Sequence, residues 1–372
     1  MRVDNAGARF NIAWPGWQLG LRWLSPLNST ESEPLLDPDN KTESPFGERS
    51  GGATTVAVTG ASGFVGTAVV KALSEKGVNV RALSRTEPKD LPVGAQWFQS
   101  PDLDHRSAWG HLLAGCSVVI HCAARVHMMN DGASDPLSEF RRVNCVGTVK
   151  LARDAVAVGV GRFVFMSSIK VNGEQTEPGE PFRATDSPAP VDAYGMSKRE
   201  AEDELFRLAR SSAMQLAVIR PVLVYGPGVR ANFAALSRLV AKGIPLPFGL
   251  IRNERSMVYV ENLADLVSVV AFHPKAADQV FLVSDGRDLS TAEIVRKLSA
   301  SMGCKARLVP VPRQVLTLPL RLLGKEAVAQ RLFRSLTVDI EPTCDLLSWK
   351  PRYSVDQGFA DTVRSCLNEG ER

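Results

Sequence analysis

Short apolar runs alternate with longer stretches of mixed polarity through most of the chain. The first run, Val56, Ala57 and Val58, leads into a segment to about Lys76 whose apolar positions recur at helical spacing. Further runs follow at 78–83, 96–98, 118–121, 162–166, 216–219 and 279–283, and the segments 138–158 and 194–211 read as helices between them. Near-continuous apolar strands separated by helices predict a parallel sheet covered on both faces. No internal repeat is found. After about Pro227 the texture changes: a helix over 232–242 gives way to a loop, 243–249, too rich in proline and glycine to continue it. The chain is expected to return to the sheet through 260–283 and to leave it for helices over 291–301, 314–336 and 339–347.

Between the first strand and the first helix stands Thr59-Gly60-Ala61-Ser62-Gly63-Phe64-Val65-Gly66. Glycines three residues apart tighten the turn and leave a surface without Cβ atoms, so a pyrophosphate can approach the amides that open the helix. A dinucleotide is the natural ligand, although a bare triplet also suits an ordinary strand-to-helix turn. Ligands of doubly wound sheets sit outside the carboxyl ends of the strands, where a C-terminal lobe would close over the nicotinamide end. The expected fold is therefore α/β: a Rossmann-type doubly wound parallel sheet over 54–228 and 258–286, with a smaller substrate-binding lobe from 229–257 and 287–372.

A length of 372 residues is ample for such a core, and the net charge of +4 is too balanced to imply nucleic acid or a membrane surface as the main partner. Six cysteines without CxxC pairs fit reduced thiols in a cytoplasm better than disulfides or zinc, and no metal site is expected. No stretch reaches the roughly 18–20 apolar residues of an integral membrane span. Residues 1–53 hold Trp14, Trp17 and Trp23 and then a Ser/Glu/Pro/Asp-rich run, without the apolar core of a signal peptide. They are expected to be a disordered or accessory extension.

Tyr194 and Lys198 are four apart, which on a helix places them on one face in adjacent turns. A phenol has a reference pKa of about 10, so proton transfer near neutrality needs a nearby positive charge such as Lys198. Ser168, at the end of an upstream strand, can present a hydroxyl to the same substrate oxygen. TGxxGFxG at 59–66, Ser167-Ser168, YxxxK at 194–198 and Arg220-Pro221 stand in an order and spacing that resemble the extended short-chain dehydrogenase/reductases of the NAD-dependent epimerase/dehydratase family. The resemblance runs from about Thr54 to about Val363.

That resemblance implies an enzyme in which Tyr194 is the acid/base, Lys198 lowers its pKa and holds the nicotinamide ribose, and Ser168 polarises the substrate oxygen. It implies dinucleotide contacts from Gly60, Ser62, Gly63, Phe64, Val65 and Gly66. Ser84 and Arg85 would follow the second strand, with Asp102 and Leu103 beside the adenine. Cys122, Ala123 and Ala124 would run against pyrophosphate and ribose, and Asn144 and Pro221 would complete the site, with His121 as packing. The cofactor is NADP(H) or NAD(H). The acid that binds both ribose hydroxyls is absent, and Arg85 suits a 2′-phosphate or stacks on adenine.

Arg255 and Asn232 fall where nucleotide-sugar members contact the UDP diphosphate, so a UDP-sugar is the expected partner. Ile169 and Lys170 replace the Asp-Glu pair of the dehydratases, and Asn172-Gly173 replaces the Tyr-Gly pair common in 4-epimerases. With Arg125, His127 and Lys170 as further substrate contacts, the stretch resembles bacterial O-antigen reductases. The expected activity is NAD(P)H-dependent reduction of the 4-keto group of a UDP-linked 2-acetamido-2,6-dideoxyhexose. The alternatives are a UDP-sugar 4-epimerase with tightly bound NAD and a non-catalytic NADP(H) sensor, which has no need of Ser168, Tyr194 and Lys198. By resemblance a homodimer would pair through 138–158 and 194–211.

Overall fold

Seven strands lie parallel in one sheet: β1 (Thr55–Thr59), β2 (Asn79–Ser84), β3 (Ala95–Gln99), β4 (Val118–His121), β5 (Arg162–Met166), β6 (Gln215–Pro221) and, last in the chain, Gln279–Val283. Two three-residue strands, β7 (Leu223–Tyr225) and β8 (Met257–Tyr259), pair apart from it, so Gln279–Val283 is β9. The order across the large sheet is β3-β2-β1-β4-β5-β6-β9. These coordinates come from a computed structural model that describes residues 54–126, 135–229, 232–322 and 332–370; the extension 1–53 lies outside the described residues.

The helices are α1 (Phe64–Glu75), α2 (Gly110–Leu113), α3 (Pro136–Phe140), α4 (Thr148–Ala157), α5 (Ala193–Arg210), α6 (Asn232–Ala241), α7 (Val260–Phe272), α8 (Thr291–Ser301) and α9 (Arg313–Leu322). Glu341–Leu347 and Val355–Gly370 follow. Alternate strand residues feed two apolar layers, as the two-residue period of a strand requires. Val56, Val58, Val118 and Ile120 pack with Leu73 of α1 and Leu266 of α7. Ala57, Val119, Phe163 and Phe165 pack on the other face with Leu151 of α4 and Leu205 of α5. The sheet is thus covered on both faces, and the fold is the Rossmann-type doubly wound sheet.

Three segments depart from the pattern read in the sequence. Of 260–283 only β9 is strand, because 260–272 forms α7. This helix is buried almost all round, and a continuous apolar run carries no period that separates strand from helix. Its polar residues are satisfied: Asp265 accepts from Lys76 Nζ at 3.0 Å and Trp349 Nε1 at 2.9 Å, and Asn262 Nδ2 donates to Asp285 at 2.8 Å. The helix expected over 314–336 has ended before Leu336, which bridges Arg255 in extended conformation. Within 138–158 the backbone is helical but takes the wider π winding over Arg141–Gly147. Among the described residues no helix is long and apolar enough to cross a membrane, and no three His, Cys, Asp or Glu gather as metal ligands.

Candidate active site

β1 and β4 are neighbours whose chains leave toward opposite sides of the sheet, which creates a crevice at their carboxyl ends. The glycine turn sits there. Gly60 has φ +69°, and a Cβ on it would lie 2.7 Å from the Ala123 amide nitrogen; one on Gly66 would lie 2.1 Å from the Gly60 carbonyl oxygen. Neither position tolerates a side chain without moving backbone. Ser62 and Gly63 are exposed, and Gly63 precedes α1 with no side-chain cap and no acid in the first turn. The amides of Phe64 and Val65, with the positive end of the helix dipole, are therefore left for an anion. This cradle fits a dinucleotide pyrophosphate.

The other expected cofactor residues line up along the same strand ends. Ser84 closes β2, buried, accepting from Trp97 Nε1 at 3.1 Å and donating to the Thr86 carbonyl at 2.7 Å. Arg85 and Asp102 pair at 3.5 Å with both side chains about three-quarters exposed (78% and 74%). Leu103 packs so closely on Gly147 that a Cβ there would meet the Leu103 carbonyl carbon at 2.7 Å. Cys122, Ala123 and Ala124 leave β4 beside Gly60, and burial pushes the Cys122 thiol up to about 12, so it stays protonated. Pro221 is buried at the end of β6. His121 is held between Thr59 (2.6 Å) and Thr148 (2.9 Å), and burial lowers its pKa to about 3; it is neutral packing, stacked on Phe165.

Asn144 stands on the π-wound turn and is buried. Its Oδ1 accepts from the Arg125 amide at 2.8 Å, while its Nδ2 donates to the Arg125 carbonyl at 3.0 Å and to Ser197 Oγ at 3.1 Å. One side chain thus ties the loop after β4 to α5. The Arg125 guanidinium lies 5.7 Å over the Phe140 ring, which meets Tyr194 edge-on at 6.0 Å.

Ser168, Tyr194 and Lys198 converge beside this turn. Ser168 follows β5 and caps a short 3-10 turn, Ile169–Val171. Asp192 caps α5 by accepting from the Gly195 amide at 2.7 Å, which fixes Tyr194 in the first turn. A Cβ on Gly195 would lie 2.8 Å from the Lys170 carbonyl, so the missing side chain lets α5 approach the serine loop. Burial, and then the Asp192 charge, push the Tyr194 phenol up to about 12, while a hydrogen bond from Ser168 opposes them. Lys198 is 1% exposed; its Nζ donates to the Met166 carbonyl at 2.8 Å and lies 4.5 Å over the Phe165 ring. Burial brings this ammonium down to about 8, opposed by the neighbouring Cys122 and Glu202.

Sequence reasoning missed what stands behind the serine. Glu202, one turn beyond Lys198, accepts from Arg220 Nε (3.0 Å) and Nη2 (2.6 Å) and from Ser167 Oγ (2.5 Å). Arg220 Nη1 donates to Asn172 Oδ1 at 2.9 Å, and Asn172 Nδ2 to the Arg183 carbonyl at 2.9 Å. The available signal was the four-residue step from Lys198 to Glu202 on one helix face. Lys170 is engaged by Asp192 and by Glu174 at 3.2 Å. Arg255 pairs its backbone with Leu289 and donates from Nη1 to the Arg334 carbonyl at 3.2 Å. Asn232 opens α6, but its side chain, like all of His127, lies outside the described residues.

The model of the NAD dependent epimerase/dehydratase family matches residues 56–284. A UDP-glucose 4-epimerase of Vibrio cholerae is 46% identical over 86% of this chain and 97% of its own length. A 2-alkyl-3-oxoalkanoate reductase of Stenotrophomonas maltophilia is 27% identical over 82% of this chain and 97% of its own. Among solved structures, UDP-glucose 4-epimerase from Thermotoga maritima with UDP-glucose shares the fold at TM-score 0.69 and 22% identity, covering 86% of this chain and 100% of that one. The Vibrio similarity overturns the expectation of a 4-ketoreductase for a UDP-linked 2-acetamido-2,6-dideoxyhexose. That expectation rested on the likeness of residues 167–173, with Arg125 and His127, to bacterial O-antigen reductases, and on Asn172-Gly173 in place of the Tyr-Gly pair of 4-epimerases. The structure buries Asn172 at 2% exposure, where its side chain is taken up by Arg220 and the Arg183 carbonyl.

Proposed function

The chain belongs to the NAD dependent epimerase/dehydratase family, and from that premise we propose that it is a UDP-sugar 4-epimerase, of the UDP-glucose or UDP-N-acetylglucosamine type, holding NAD as a resident group. The observation that carries this reading is 46% identity to a UDP-glucose 4-epimerase along 97% of that enzyme. When bound in the crevice, the nicotinamide supplies a hydride acceptor and donor for C4 of the sugar. Tyr194 takes the proton of the C4 hydroxyl and returns it from the same position, and Ser168 holds the oxygen between these events. Because burial keeps the phenol protonated at neutrality, its ionisation requires positive charge, which Lys198 supplies from the adjacent turn. Arg255 is assigned to the diphosphate, where a planar guanidinium suits paired oxygens. Arg85, already beside Asp102, is assigned to the adenine edge rather than to a 2′-phosphate.

Purified protein incubated with UDP-galactose and no added nucleotide tests the reading. Interconversion with UDP-glucose, with no net change in the reduced-nicotinamide absorbance, is the expected result. Failure of every UDP-hexose and UDP-N-acetylhexosamine to interconvert in protein loaded with NAD would overturn it.

A further inference from the structure

Two strips of the chain, 241–253 and 302–322, contain no Asp or Glu. The fold lays them side by side. Leu246 N donates to the Arg307 carbonyl at 2.7 Å, Val309 N to the Leu246 carbonyl at 2.8 Å, and Gly249 N to the Val309 carbonyl at 3.0 Å. Under them Ile251 and Phe333 form a small apolar core onto which Phe248 and Leu316 pack, so the start of α9 is fixed to the same unit. Outward from it point Ile244, Leu250, Val309 and Val315, between 41% and 59% exposed. Lys242, Arg252, Lys305, Arg307 and Arg313 are exposed among them. These five cations exceed the net charge of the whole chain, +4, so its overall balance conceals a local excess.

We propose that this face docks on an anionic phospholipid surface. Apolar tips at 41–59% exposure, ringed by cations, match a bilayer interface, where alkyl side chains enter the acyl boundary and basic heads meet phosphates. The exposed Pro245, Pro310 and Pro312 stiffen both strips, which lowers the entropy lost on insertion. Among the described residues no exposed aromatic ring stands among the cations to stack on bases, which argues for lipid over single-stranded nucleic acid. Because the contact is interfacial and partly electrostatic, it is reversible and weakened by salt. The inference does not depend on which sugar the crevice takes.

The test is co-sedimentation of the full chain with vesicles of phosphatidylglycerol mixed into phosphatidylcholine, with pure phosphatidylcholine vesicles as control, at low and high salt. Two variants accompany it: Leu250→Ser/Val309→Ser/Val315→Ser, and Lys305→Gln/Arg307→Gln/Arg313→Gln, each checked for native circular dichroism. The unaltered protein is expected to sediment with the anionic vesicles and not with the neutral ones. The charge variant should bind about a hundredfold more weakly, since each basic residue near the surface counts about fivefold. The serine variant should lose binding even at low salt. Failure of the unaltered protein to sediment would overturn the proposal. So would binding by both variants as tight as that of the unaltered protein, which would move the contact to another part of the chain, or retention on heparin with no vesicle binding, which would make the face a polyanion site.

Discussion

Two Arg–carboxylate pairs flank the candidate site, and they differ in almost everything except their chemistry. Arg220–Glu202, behind the serine, is 3% and 1% exposed, fork-paired and joined to Ser167 and Asn172. Arg85–Asp102, beyond the ends of β2 and β3, is 78% and 74% exposed and separated by 3.5 Å. A buried pair repays its desolvation only when every remaining donor and acceptor is satisfied, so it is rigid by necessity. An exposed pair at that distance gains about 1 kcal/mol at most and can part when a ligand arrives. Rigidity therefore sits behind Ser168, and adaptability beside Arg85.

The largest effect expected comes from breaking the buried pair. Glu202→Ala leaves the Arg220 charge uncompensated and should cost about 3–5 kcal/mol in urea unfolding, whereas Glu202→Leu combined with Arg220→Met should cost clearly less. Equal losses would mean that packing, not charge, holds this region. Tyr194→Phe should lower kcat by about a hundredfold to ten-thousandfold while dinucleotide retention stays within a few fold; undiminished turnover would remove the mechanism.

Lys198 gives a pH signature. Its folded pKa, about 8, lies below its ordinary 10.5, so the unfolded chain binds more protons between those values. The cost of burying the ammonium is present in full below pH 8 and is relieved as pH rises toward 10.5. Lys198→Met should flatten that rising limb in denaturation measured across the window. Lys170→Gln is expected to act more gently. It removes the cation facing Asp192, whose charge already raises the Tyr194 pKa, so the alkaline-going limb of the pH–rate profile should move upward. The smallest effect belongs to Arg85→Ala, within about 0.5 kcal/mol in stability. NADH and NADPH affinity should fall together by a few fold; a loss confined to NADPH would assign the guanidinium to a 2′-phosphate.

The strands of the large sheet and the pairing of Tyr194 with Lys198 were legible because their signals are local, whereas Ser168 was placed beside them by the family resemblance. A strand buried on both faces is apolar throughout, and a tyrosine and lysine four apart share a helix face wherever that helix goes. Gly60 and Gly66 were legible for a different reason: backbone stands where their Cβ atoms would be. What escaped depends on distant partners. The β7–β8 pairing joins three-residue strands far apart in the chain, too short to carry a period. The C-terminal helix Val355–Gly370 was not anticipated, although Phe359 packs on Tyr225 at 5.0 Å. Asn172 shows how a sequence names a residue without saying which way it faces; it was one of the differences, with the rest of 167–173, Arg125 and His127, that pointed to a reductase.

The three hydrogen bonds of Asn144 also have a meaning in time. The Arg125 amide exchanges its proton with solvent only when its acceptor lets go, and that acceptor belongs to a buried side chain on a helical turn. Its exchange rate should follow the opening of that turn, far slower than the rate of an ordinary loop amide. Breaking the Asn144 contacts is thus the first step of any opening at Arg125, and the end of β4 and the π-wound turn share one clock.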